Sequence, residues 1–196
     1  IYSRADNFDP EKMRDFLLLN PNIEGAAPFV ESRGLVISSG SLTPVFVRGI
    51  DPGIEETVSI LPEAIVVGDL KSLESMNFSV VLGRDLAETL ELSLGDQITL
   101  VLPQVSLSLA GSHPTTRRLK VVGIFDLELD IDSNLLVMHA NDLRRLKRQK
   151  KIDGISIKTK NVFQASRTVF EVIYAEDSLD GYSWQQSHGT LYQAIG

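Results

Sequence analysis

The chain contains no cysteine. That excludes disulfides, thiolate nucleophiles and cysteine metal sites, and it leaves the compartment open, since a cysteine-free chain suits either redox environment. Histidine is scarce: His113, His139 and His188 share no metal-ligand spacing and read as solvated or core residues. Positive charge is in the minority, with 19 Lys and Arg against 26 Asp and Glu and a formal net charge of -7. A surface of that sign does not suit nucleic acid, whose phosphates need a basic footprint. No apolar run approaches the roughly 18 residues of a membrane span, and there is no signal-peptide pattern. The G-x-S-x-G, P-loop and G-x-G-x-x-G motifs are all absent. Asp126, Glu128, Asp130 and Asp132 alternate in an acidic loop that lacks the central glycine and terminal glutamate of a calcium site. Ser38-Ser39-Gly40-Ser41 has no base beside it and reads as a turn. These absences point to a non-catalytic domain with no cofactor and no metal.

What is present is an ordinary globular composition, 43% hydrophobic and 23% charged, over 196 residues. That length suits one large domain or two small subdomains. The chain starts at Ile1 and stops inside a helix-like stretch (Leu191, Tyr192, Ala194, Ile195). Both ends are expected to be cut, with membrane spans among the flanking segments.

Asp9-Pro10 predicts a helix start, because aspartate accepts the free N–H groups and proline is preset for the first turn; Pro21 ends it. Strands are predicted at Ile23–Val30, Leu35–Ser38, Val45–Ile50, Phe78–Leu82, Leu119–Phe125, Leu135–Met138 and Ile152–Lys158, with a last one at Tyr182–Gln185. Asp51-Pro52-Gly53 reads as a turn. Helices are predicted at Arg84–Leu90, at Asp142 to about Lys150 capped by Asn141, and from Asn161 to about Ala175. Phe163 and Phe170 share an apolar stripe of the last. The Leu94-Gly95-Asp96 turn leading into alternating Ile98 and Leu100 is a signal of a small β-barrel.

Two strand–helix–strand segments, one at each end, predict a split α/β subdomain formed by residues 1–35 and 151–196. A β-rich subdomain of residues 36–150 is inserted between them, and the fold class is α+β. The Ser38–Ser41 stretch and the basic run near Lys150 are the expected linkers.

Between the strand containing Ile98, Leu100 and Leu102 and the strand containing Leu119 and Val121 lies an arm of residues 103–114, bounded by Pro103 and Pro114. A hairpin needs only about two to five loop residues. Here Val105, Leu107 and Leu109 alternate with Gln104, Ser106 and Ser108, so the arm is extended with one apolar edge. It either folds back on its own subdomain or protrudes as a hook. Three such side chains bury apolar area at about 25 cal/mol per Å² in a partner. Arg117 and Arg118 stand at its base. The basic run Arg144 to Lys151 reads either as a solvated helix face or as a contact for anionic lipid head groups.

The order VRGIDP (Val47 to Pro52), GDL (Gly68 to Leu70), VVLGRDLAETLELSLGDQITL (Val80 to Leu100), a Pro-bounded arm, RRLKVVGIF (Arg117 to Phe125) and SWQQSHGTLYQAI (Ser183 to Ile195) resembles the periplasmic domain of the LolC/LolE family. These are the membrane subunits of the lipoprotein-releasing ABC transporter, within the wider MacB-like group. The resemblance covers essentially the whole chain, and Gly154 to Val169 is similar to the LolE type. It implies a periplasmic domain between two membrane spans of a Gram-negative inner membrane. It implies a porter-like split subdomain and a sabre-like insert. It also implies the partners: lipoprotein cargo, the chaperone LolA, a LolC/LolE partner subunit and a separate LolD-type ATPase. Pro103, Val105, Leu107, Leu109 and Pro114 would form the hook that enters the chaperone's apolar cavity, with Arg117 and Arg118 as the supporting pad. The alternative within the group is a MacB-like export or efflux domain docking other periplasmic partners.

Overall fold

A computed structural model describes residues 1–3, 9–103, 114–175 and 179–181. In chain order the strands are β1 (Tyr2–Ser3), β2 (Ile23–Ser38), β3 (Ser41–Ile50), β4 (Ile65–Gly68), β5 (Ser79–Gly83), β6 (Gln97–Leu102), β7 (Thr115–Phe125), β8 (Leu135–His139), β9 (Gly154–Thr159) and β10 (Leu179–Asp180). The helices are α1 (Pro10–Leu18), α2 (Pro52–Glu55), α3 (Ser72–Ser75), α4 (Arg84–Thr89), α5 (Ala140–Lys147) and α6 (Ala165–Ala175). They form two compact units: Ile1–Pro28 with Ile152–Gly196, and Phe29–Lys151. The predicted Tyr182–Gln185 strand and the helix-like stretch Leu191 to Ile195 lie outside the described residues.

The first unit joins the two parts of the chain. β1 runs antiparallel to both β10 and β9, and β9 neighbours β2. Asp9 caps α1, its Oδ1 accepting the N–H groups of Glu11 at 3.1 Å and Lys12 at 3.3 Å. α1 buries Leu17 against Ile23, Ala26, Ile155, Val169 and Val172. Asn161 accepts the Phe163 N–H at 2.9 Å, but the cap opens a single 3-10 turn, Val162–Gln164, before α6 begins. That turn rotates the register, so Val169 and Val172 face the core while Phe170 is 67% exposed.

The second unit is a ring of strands. β2 pairs with β3, β3 with β8, β8 with β5, β5 with β7, β7 with β6, and β6 returns to β2. The turn before β6 requires Gly95 at φ +95°. β5 and β8 are buried on both faces. Val80 and Leu82 share one with Met138 and Leu136; Val81, Leu135 and Val137 pack on the other against Ile50, Leu73 and Phe125. β4 adds to β7 outside the ring.

Several expectations need correcting. β2 is one strand through Glu31–Gly34, because its pairing to β3 starts at Val30↔Gly49 and continues to Ser38↔Ser41. That pairing commits the chain to the second unit from Phe29 on, earlier than the predicted residue 36. Ser38–Ser41 is therefore a tight two-residue hairpin turn with Ser39 and Gly40 at positive φ, not a linker. Asp51-Pro52 starts a helical turn, α2, the Asp51 carboxylate accepting the Gly53 N–H at 3.1 Å. α5 begins at Ala140, because the His139 imidazole, not Asn141, is its cap: Nδ1 accepts the Asn141 N–H at 3.1 Å. The acidic loop has a packing role. Asp132 is buried, and its Oδ2 accepts the N–H groups of Leu127 at 2.8 Å and Leu129 at 3.4 Å. The backbone of Asp132 lies so close to Gly83 that a Cβ there would sit 2.2 Å from the Asp132 carbonyl oxygen. Asp126 pairs with Arg84 at 2.6 Å.

Burial pushes the Glu55 carboxyl up from 4.5 to about 7, against the pull of the Arg48 cation and a hydrogen bond with Ser59, and with the help of the Asp51 charge. Below pH 4.5 both folded and unfolded chains hold this proton. Between 4.5 and 7 the unfolded chain loses it first, so the contribution of this group to stability falls as pH rises. Chemical denaturation of wild type and Glu55→Gln across this range should show wild type losing about 3 kcal/mol relative to the variant. A difference independent of pH contradicts a protonated Glu55.

Candidate interaction face at the root of the arm

β6 and β7 pair residue by residue from Gln97↔Lys120 to Leu102↔Thr115. The last pair lies immediately before Pro103 and Pro114, both of which are exposed. The arm is thus rooted on a fully paired ladder whose Ile98, Leu100, Leu102 and Leu119 are buried. β7 starts at Thr115, earlier than the predicted Leu119, because β6 supplies partners for the whole of that stretch. Val105, Leu107 and Leu109 lie outside the described residues.

Alternation separates the two arginines at the base. Arg117 is opposite Leu100, which is opposite Val36; those two are buried, whereas Arg117, at the end of that row, is exposed. Its guanidinium lies 3.8 Å from the centre of the Phe78 ring. Arg118 is opposite Thr99 on the outer face. Thr99 is opposite Ile37, and Ile37 is opposite Leu42. One step along, Val101 is opposite Leu35, which is opposite Pro44. Phe46 follows, opposite Arg33, whose guanidinium stands 5.2 Å from its ring centre.

The outer face of β3, β2 and β6 is therefore apolar and partly open to solvent: Leu42 is 60% exposed, Phe46 43% and Ile37 40%. Arg118 borders it. No single stretch of sequence carries this patch. Ile37, Phe46, Thr99 and Val101 fell within predicted strands, but Leu42 and Pro44 did not, since β3 begins at Ser41 rather than the expected Val45, and the union of the patch depends on the β6–β2 pairing.

A groove of about 530 Å³ runs along β4 and α4, bordered by Val66, Val67, Glu88 and Glu91. Arg84, which also lines it, is held by Asp126. Among the described residues no three His, Asp or Glu side chains converge as a metal site, and no helix is long and apolar enough to cross a membrane.

A profile of the MacB-like periplasmic core domain family matches residues 1–173. The lipoprotein-releasing system transmembrane protein LolC of Xylella fastidiosa (strain 9a5c) is 31% identical over 142 residues, covering 72% of this chain and 34% of that protein. The LolE protein of Haemophilus influenzae is 27% identical over 180 residues, covering 90% of this chain and 43% of that protein. The chain thus spans less than half the length of either relative. Among solved structures, the extracellular domain of the noncanonic ABC-type transporter YknZ from Gram-positive bacteria shares the fold, with a TM-score of 0.59 at 14% identity, covering 93% of this chain and 96% of that one. The chain belongs to the MacB-like periplasmic core domain family, and within that family it is similar to LolC and LolE.

Proposed function

We propose that this chain is the periplasmic docking domain of a lipoprotein-releasing transporter's membrane subunit. It is a non-catalytic module on the outer side of the inner membrane, flanked by spans, that helps pass released lipoprotein to the chaperone LolA. ATP hydrolysis belongs to a separate LolD-type subunit, and a LolC/LolE partner subunit completes the complex. The similarity to LolC over 142 residues carries this reading. The unit of residues 1–28 and 152–196 is its porter-like part, and the unit of residues 29–151 its sabre-like part.

In this reading the arm is the hook. Pro103 and Pro114 bound it, and Val105, Leu107 and Leu109 enter an apolar cavity of the chaperone. Arg117 and Arg118 form the pad with unequal roles. Arg118 borders the open apolar face and meets the partner, whereas Arg117 braces the arm's root through Phe78. The paired root supports the hook reading physically, because a base held on both strands reduces the conformational freedom lost on docking. A second reading, a MacB-like export domain docking other periplasmic partners, is supported by the match of residues 1–173 to the MacB-like periplasmic core domain family.

Titration of LolA against the wild-type domain and its variants separates the two. Leu107→Asp and Leu109→Asp should each weaken binding at least about tenfold, the loss of one well-buried apolar anchor. Arg118→Ala should weaken it less, chiefly by slowing association, as expected of a rim charge. Arg117→Ala should lower thermal stability by roughly 0.5–1 kcal/mol, the worth of an exposed cation–π contact. Absence of LolA binding by wild type, or full binding by both leucine variants, rejects the hook and leaves the export reading.

A further inference from the structure

The sequence concentrates positive charge in one place: Arg144, Arg145, Lys147, Arg148 and Lys150 fall within seven residues of a chain whose net charge is -7. The structure folds this run into a concave site. α5 ends at Lys147 with Arg148 as its C-cap, and the chain turns back so that Asn141, Arg144, Arg145, Arg148, Gln149 and Lys150 line a depression of about 310 Å³.

The ordinary role of cations at a helix C-terminus is to satisfy its last carbonyls and offset its dipole. Here the backbone already closes the end. The Arg148 N–H donates to the Arg144 and Arg145 carbonyls, and the Gln149 N–H donates to the Arg144 carbonyl at 3.1 Å. Lys147 is used elsewhere, donating to the Glu31 carbonyl at 2.5 Å.

The Arg144 guanidinium is pinned in the depression. Nη1 donates to Asn141 Oδ1 at 3.4 Å, Nη2 donates to the Lys150 carbonyl, and its Nε–H is buried without a hydrogen-bond partner. Arg145 leans on Asp142 at 3.3 Å, but the other oxygen of that carboxylate accepts the Phe78 N–H at 2.6 Å. No carboxylate among the described residues pairs with Arg148 or Lys150.

Arg148 also sits at φ 54°, ψ 34°, the left-handed cap position that glycine or asparagine occupies at least cost. An arginine there gives up local stability and adds a charge to a site already crowded with like charges. Such a cluster of like charges is stabilised by a multivalent anion, and forked guanidinium groups match phosphoryl oxygens.

We propose that the α5 depression binds phosphoryl anions through Arg144, Arg145, Arg148 and Lys150. A phospholipid headgroup and a soluble phosphate ester share this chemistry. The site is independent of the arm and of the chaperone reading.

The test has two arms on the 196-residue chain. One measures co-sedimentation with vesicles of phosphatidylcholine alone and of phosphatidylcholine mixed with phosphatidylglycerol. The other titrates inorganic phosphate while following the backbone amide resonances of residues 141–150. Recruitment by the anionic vesicles only, weakening with salt, supports a headgroup site. Phosphate shifts at residues 141–150 without recruitment keep the site and assign it to soluble phosphates.

Arg148→Gly is the decisive variant, because it removes the charge and relieves the backbone together. It should bind about fivefold more weakly, the effect of one cation near an anionic surface, while melting no lower than wild type. Arg145→Gln should weaken binding comparably. Neither recruitment nor phosphate shifts in wild type, equal recruitment by neutral vesicles, or undiminished binding by Arg148→Gly overturns the proposal.

Discussion

β6 is hydrogen-bonded on both edges, to β7 along its whole length and to β2 at Leu35–Ile37. That double pairing closes the strand ring of the second unit. Without it the ring has two free edges, and the buried Ile98, Leu100 and Leu102 lose their neighbours on one side. The same pairing creates the outer apolar face, since Val101 and Thr99 come alongside Leu35 and Ile37 only through it. It also roots the arm, because the ladder runs to the last residue pair before Pro103 and Pro114. Core, surface and arm thus share one physical cause.

Charge is sorted rather than spread. Several carboxylates serve the fold: Asp9 and Asp51 cap helices, Asp132 gathers the loop backbone, Asp142 holds Phe78, and Asp126 pairs with Arg84. These tasks use acidic groups at small cost, since each accepts a hydrogen bond that backbone or guanidinium would otherwise lack. Much of the positive charge is gathered at the end of α5, and Arg118 stands beside the open apolar face. A domain of net negative charge thereby carries two localised positive features on otherwise unrelated elements.

Local signals were legible in the sequence, and long-range ones were not. Asp9-Pro10 announces its helix, and the alternation of Gln97–Leu102 announces its strand, because each depends on residues next to one another. The turn at Gly95 pointed to a barrel, but which strand closes it depends on the distant β2. The break expected within β2 failed because pairing to β3 outweighs the weak strand preference of Glu31–Gly34. His139 was not read as a cap because imidazole is an unusual N-cap acceptor. At the candidate site the strand was expected to begin at Leu119, so Arg117 and Arg118 were read together as one pad; pairing to β6 carries the strand back to Thr115, and alternation then puts the two on opposite sides. What each side faces, Phe78 in one case and an open apolar sheet in the other, required the fold.

The central claim is that the arm rooted on β6 and β7 meets a partner rather than its own domain. Site-specific photocrosslinking from position 107 in the intact membrane subunit tests it most directly. The account predicts adducts joining the subunit to the LolA chaperone that diminish with Arg118→Ala. Adducts found only within the subunit's own second unit would contradict it.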